Sequence, residues 1–254
     1  AGVPLAVDST VATPALCRPI EHGADIVIHS LTKYMGGHGT SLGGIIVDSG
    51  KFPWAKHADR FPQFSTPDPS YHGVVMTDAF GPAAFIARAR VVPLRNMGAQ
   101  MAPMNAFLIM QGIETLSLRM DRHCENTQKV AEYLKAHPQV SWVSYAGLPE
   151  HPDHDQANKY LGGRASGILS FGVKGGYDAG VKFLDALKLV TRLVNIGDAK
   201  SLATHPASTT HRQLNAQELA AAGVMPDMVR LSIGIENVAD ILADVEQALA
   251  ASAG

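Results

Sequence analysis

The stretch Asp25-Ile26-Val27-Ile28-His29-Ser30-Leu31-Thr32-Lys33-Tyr34 decides how the rest of the chain is read. Its first half is an apolar run rich in β-branched residues, which reads as a buried strand. Its second half is a polar turn carrying two hydroxyls and a lysine. Upstream, the run Val3-Pro4-Leu5-Ala6-Val7 ends in Asp8 in the same manner. Between the two runs, Thr13-Pro14 has the form of an N-cap followed by proline at the first helical position, and Gly23 closes the segment. The order is therefore strand (about 3–8), helix (about 14–22), strand (about 25–29), as in a βαβ unit of a parallel sheet. Functional groups of such sheets collect at the carboxyl ends of the strands. Asp8 and Ser30 to Lys33 fall there.

An acid and a lysine at two neighbouring strand ends can converge on one small cofactor. Pyridoxal phosphate needs a lysine for a Schiff base, an acid for its pyridine nitrogen and hydroxyls for its phosphate. Lys33 and Asp8 match the first two needs. Ser30 and Thr32, two residues apart after a strand, can both face a phosphate beside free backbone N–H groups. Ser-Leu-Thr-Lys also fits an ordinary turn with a solvated lysine, and an acid at a strand end can be a helix cap. The pair at this spacing says more than either member.

Outward from this core, Gly36-Gly37-His38-Gly39-Thr40-Ser41-Leu42-Gly43-Gly44 reads as a flexible loop. It lacks the Lys-Ser/Thr ending of a nucleotide-binding P-loop. Residues 44–48 read as a further strand. Residues 51–73, rich in proline and aromatics, read as a long ordered insertion, a lid or a subunit contact. A long helical pattern then carries Leu116, Met120, Cys124, Thr127, Ala131 and Leu134 at three- and four-residue steps. We place a domain boundary near Gly112, giving units 1–112 and 113–254. In the second unit, strands are expected at 140–145, 168–173 and 228–235. Helices are expected at 177–189, 215–222 and 236–250, with Asn215 and Glu218 forming a capping box and Gly223 a stop.

The bulk properties exclude several function classes. The chain has 254 residues, 46% hydrophobic and 17% charged, with a net charge of −2. Nothing in that balance favours nucleic acid or an acidic membrane surface, and no apolar run approaches the ~18 residues of a spanning helix. Cys17 and Cys124 are too few for a disulfide framework, so a reduced, cytoplasmic protein is expected. His151-Pro152-Asp153-His154-Asp155 lies in a proline-containing loop without a companion stretch of matching spacing, so no metal site is expected. The chain opens at Ala1-Gly2 with a strand almost at once, and we read it as part of a longer polypeptide.

Several segments together resemble one family. Val7-Asp8-Ser9-Thr10, Pro19 to Val27, His29 to Tyr34 and Gly36-Gly37-His38-Gly39 are similar to the Cys/Met-metabolism group of pyridoxal-phosphate enzymes. Later segments agree in order: Leu118 to Cys124, His205-Pro206-Ala207-Ser208-Thr209-Thr210-His211 and Val229 to Glu236. Within the group, Val194 to Leu202 and the insertion at 51–73 resemble the O-acetylhomoserine sulfhydrylase branch. The resemblance implies an α/β fold: the end of a large, mostly parallel-sheet cofactor domain of the aminotransferase-like kind (fold type I), followed by a smaller α/β domain. It implies pyridoxal 5'-phosphate on Lys33, Asp8 against the pyridine nitrogen, and Ser30 and Thr32 at the phosphate. It also implies Asn195 and Arg230 on the substrate α-carboxylate. The implied substrates are O-acetylhomoserine and sulfide or a thiol, and the implied assembly is a homotetramer. The family's N-terminal region, with a phosphate loop, a ring-stacking tyrosine and a Tyr/Arg pair lent by a neighbouring subunit, has no counterpart here. Cystathionine γ-synthase, cystathionine γ-lyase or methionine γ-lyase activity, or a catalytically incomplete piece, are the competing expectations, and a cofactor-free Schiff-base aldolase is a distant third.

Overall fold

The computed structural model, which describes residues 1–253, keeps the opening strand–turn–strand order in outline. β1 (Ala6–Asp8) pairs parallel with β2 (Ile26–Ser30), setting Asp8 opposite Ile28. β3 (Gly44–Asp48) adds antiparallel to β2, from Ile26 opposite Asp48 to Ser30 opposite Gly44. The first strand is shorter than the expected 3–8 and is not buried, since Val3, Leu5 and Ala6 are exposed. The crossover also differs from a single helix over 14–22. α1 (Thr13–Leu16) ends at Cys17, which is extended, and a 3-10 turn follows over Pro19–His22. Proline disfavours helical geometry in the residue before it, and Arg18 accordingly leaves the helix at φ −115°, ψ 88°. Thr13 is the first helical residue and not the cap, although its hydroxyl accepts the Ala15 N–H at 3.2 Å.

The insertion at 51–73 is a packed unit of short turns over Trp54–His57, Pro62–Ser65 and Pro69–Tyr71. Buried Trp54 stacks on Phe85 at 5.6 Å and meets Phe64 at 4.4 Å, so the segment has a small aromatic core of its own. Short helices continue to Met97, a stretch in which the sequence pattern suggests no element. α2 (Pro103–Glu114) and α3 (Leu116–Ala136) then follow almost without interruption. All six residues of the expected stripe on α3, from Leu116 to Leu134, are buried.

The second sheet has the order β4-β5-β8-β7-β6, from β4 (Val140–Ser144), β5 (Ile168–Val173), β6 (Thr191–Arg192), β7 (Leu202–Thr204) and β8 (Met228–Ser232). Its pairs are antiparallel except β6 with β7. β8 stops at Ser232, short of the expected 235. Among the helices around it are α4 (His154–Leu161), α5 (Gly176–Ala186), α6 (Ala216–Ala221) and α7 (Val238–Ser252). The capping box of α6 forms as expected: Asn215 Oδ1 accepts the Glu218 N–H at 3.0 Å, and Glu218 accepts the Asn215 N–H at 2.8 Å. Leu169, Phe171, Val229, Leu231 and Ile233 close a core with Phe183 of α5, Val130 and Leu134 of α3, and Ile241, Val245 and Leu249 of α7. Val238 and Leu242 of α7 are only partly buried. Buried Asp244 accepts the N–H groups of Lys188, Leu189 and Val190 at 2.8–2.9 Å, which satisfies the backbone leading into β6.

Candidate active site

The parallel pairing of β1 and β2 brings their carboxyl ends side by side, and the ladder runs on through Ser9 N–H to Ile28 O at 2.9 Å. Asp8 Oδ1 accepts the Thr10 N–H at 2.9 Å, an Asx turn that fixes the carboxylate. Hydrogen bonds from Thr10 lower the Asp8 pKa below its ordinary 3.8, so Asp8 is an anion at neutral pH. On β2, buried His29 bonds Ser9 O through Nδ1 at 3.1 Å, and burial lowers its pKa.

Lys33 sits in a helical turn in which Gly36 N–H bonds Leu31 O at 2.9 Å and Gly37 N–H bonds Lys33 O at 2.7 Å. Its ammonium donates to Asn195 Oδ1. The Asn195 carbonyl in turn accepts from Arg230 Nη2 at 3.4 Å. Arg230 is half-buried on β8, and desolvation lowers its pKa. Lys33, Asn195 and Arg230 therefore form one continuous polar chain, drawn from positions far apart in sequence. Tyr34, buried beside Lys33, stands edge-on to His123 with ring centroids 5.1 Å apart. Gly197 allows the Asn195 loop to come this close: a Cβ there would lie 2.5 Å from the Tyr34 amide nitrogen, and its φ is +72°.

The two expected phosphate hydroxyls are not equivalent. Thr32 Oγ1 accepts Gly43 N–H at 3.1 Å and donates to Gly43 O at 3.3 Å, whereas the Ser30 hydroxyl has no hydrogen-bond partner among the described residues. The His151–Asp155 loop makes local bonds, with His154 Nδ1 on Ala146 O at 3.0 Å and Ser144 Oγ 3.3 Å from His151 Nε2. Among the described residues no group of three or more His, Cys, Asp or Glu side chains could hold a metal ion.

A family model described as the Cys/Met metabolism PLP-dependent enzymes matches residues 1–250. The chain belongs to that family. A sulfhydrylase of Gibberella moniliformis is 56% identical over 247 residues, which are 97% of this chain and 57% of that protein. A homocysteine synthase of Schizosaccharomyces pombe is 53% identical over 98% of this chain and 58% of its own length. A crystal structure of a Campylobacter jejuni protein named as an O-acetylhomoserine (thiol)-lyase, containing N'-pyridoxyl-lysine-5'-monophosphate, superposes with a TM-score of 0.91 at 42% identity. It is matched over 98% of this chain and 59% of its own. The chain thus spans under three-fifths of the relatives it matches.

The residues present fit the family's cofactor. An anionic Asp8, an amine at Lys33 and an unpartnered Ser30 hydroxyl are the donors and acceptors that pyridoxal phosphate requires. Thr32 retains one lone pair, and its long bond to Gly43 O is the weaker of its two. Sequence reasoning missed Arg119. This buried guanidinium donates to Tyr34 O at 2.7 Å, Met35 O at 3.3 Å and Gly112 O at 2.6 Å, pinning the turn after Lys33 to the α2–α3 joint. Thr10 was missed as well; its place two residues after Asp8 in an Asp-x-Thr turn was the available signal.

Proposed function

We propose that this chain carries the Schiff-base and carboxylate-binding parts of an enzyme that replaces the γ-substituent of O-acetylhomoserine with sulfide, giving homocysteine and acetate. The observation that carries the reading is the chain Lys33–Asn195–Arg230, together with an ionised Asp8 at the end of the strand paired with β2. The names of the relatives support the substrate. When bound, pyridoxal phosphate supplies an electron sink for charge at the substrate carbons. The protein's residues do the rest. Asp8, staying anionic, would hold a proton on the pyridine nitrogen, and Ser30 with Thr32 would orient the phosphate. Arg230 binds the substrate carboxylate through two parallel hydrogen bonds, with the Asn195 amide beside it. The Lys33 amine would hold the cofactor covalently and, when free, would be placed to carry a proton at the reacting carbons.

On the same reading the chain divides near Gly112, supported by one core cluster on each side although a third crosses the joint, and works in the cytoplasm, supported by two unpaired cysteines. Residues outside this chain, of the kind the longer relatives possess, complete the pocket. Assembly as a homotetramer is part of the same reading; the exposed Met104, Phe107 and Met110 on α2 offer an apolar face for a subunit contact or for residues outside this chain. The test is to supply the holoenzyme with O-acetylhomoserine and either sulfide or cysteine. Homocysteine from sulfide at a higher kcat/KM than cystathionine from cysteine is expected; the reverse order would assign a cystathionine γ-synthase instead.

A further inference from the structure

Asp8 and Ser30 end two adjacent strands, and the residue that joins them is Thr10. Its hydroxyl oxygen accepts the Ser30 backbone N–H at 2.8 Å, and its own N–H reaches Asp8 Oδ1 at 2.9 Å. With the oxygen accepting from Ser30, the hydroxyl proton stays available to the neighbouring Asp8 carboxylate, and Thr10, through side chain and backbone, heads the influences that lower the Asp8 pKa. Thr10 is itself buried, although Asp8 is exposed. The titratable group facing Asp8 from β2 is His29, whose ring is engaged with Ser9 O and whose pKa burial lowers. A neutral imidazole supplies no counter-charge, which leaves Thr10 to hold the carboxylate.

We propose that Thr10 is a positioning residue: it ties the carboxylate of Asp8 to the main chain of Ser30, fixing the spacing between ring-nitrogen partner and phosphate turn. The inference rests on the cofactor roles proposed above for Asp8 and Ser30. One side chain thereby sets the distance between the two ends of the ligand, which a rigid aromatic phosphate ester cannot adjust for itself. A valine at position 10 keeps the β-branched shape and loses the hydroxyl; a serine keeps the hydroxyl and loses a methyl.

The experiment compares Thr10→Val, Thr10→Ser and Asp8→Asn in the holoenzyme, following the rate at which the cofactor's visible band is lost to a trapping reagent. In cofactor-free protein the Asp8 carboxyl is titrated by carbon NMR. Thr10→Val is expected to speed release about tenfold, the worth of one hydrogen bond to a charged group, and to raise the Asp8 titration midpoint. Thr10→Ser is expected to restore both to within about threefold of the parent, by keeping that bond. If Thr10→Val lowers the thermal midpoint but moves neither readout, while Asp8→Asn does speed release, Thr10 is a packing residue and the proposal is overturned. If Asp8→Asn leaves release unchanged, the cofactor role of Asp8 fails first and this inference falls with it.

Discussion

In the five-stranded sheet, Leu169, Phe171, Val229, Leu231 and Ile233 are sealed between strands and helices of this chain, whereas in the three-stranded sheet Ile26 and Val27 are buried and Ile28, Ile45, Ile46 and Val47 are left uncovered by it. The two sheets are held by different forces. The sealed sheet has an apolar core that closes within its own segments. The open sheet packs Ile26 on the Trp54 cluster and is further positioned by polar ties: Leu5 N–H to Asp25 at 2.8 Å, Ser30 N–H to Thr10, and Arg119 on the carbonyls after Lys33. Substitutions at the ends of the open sheet should therefore remove chemistry and spare the fold, and substitutions inside the sealed sheet should do the opposite.

The largest effect expected on the open side is that of Lys33→Ala. Turnover should fall at least about 10³-fold, because imine and proton carrier leave together, while the unfolding free energy should move by less than about 1 kcal/mol. An assay paired with thermal unfolding checks both, and a variant that fails to fold would erase the contrast. On the sealed side, Phe171→Ala should cost about 3–5 kcal/mol through the cavity left beside Phe183. Denaturant titration measures that loss, and kcat/KM per folded molecule should stay within about threefold, since no proposed site residue is removed.

His123, between the two regions, gives the contrast a pH dependence. It is fully buried, with Nδ1 2.6 Å from Ile233 O and Nε2 without a partner, and burial lowers its pKa from 6.5 to about 4. The unfolded chain thus takes up the proton first as pH falls. Stability is full above about 6.5 and is lost toward about 4, by roughly 3 kcal/mol in all. His123→Gln, neutral throughout, should flatten this acid limb in a series of unfolding curves; an unchanged limb would assign it to other groups.

Arg230→Lys cuts across the comparison, because Arg230 lies on the sealed sheet and its proposed role is at the open one. A point charge replaces a planar fork, so kcat/KM should fall roughly 10–150-fold with little change in stability. A substrate analogue lacking the carboxylate should cost the parent enzyme much more than the variant. Equal losses in both would separate Arg230 from that group.

The sequence revealed what is local. An apolar run ending in Ser-Leu-Thr-Lys, the Asn215–Glu218 box and the six-residue stripe of α3 each depend on neighbours within a few turns, and each is found where expected. The break at Pro19 was legible from proline chemistry but was overridden by the helix start at Thr13-Pro14. Arg119 and Asp244 were illegible for a different reason. A charged residue on a helix ordinarily faces water, and their partners lie far away in sequence, 85 residues for Tyr34 and 54 for Val190. The nearness of Asn195 to Lys33 is of the same kind, since it depends on how two segments 162 residues apart pack around Tyr34.

Lys33 is the proposed covalent anchor at the open sheet's end. Reducing the holoenzyme with borohydride converts a Schiff base into a stable secondary amine, and mass mapping of the digest then locates the pyridoxyl group. The label is expected on Lys33, and Lys33→Ala is expected to leave no peptide labelled. A label on another lysine of the native protein would contradict it.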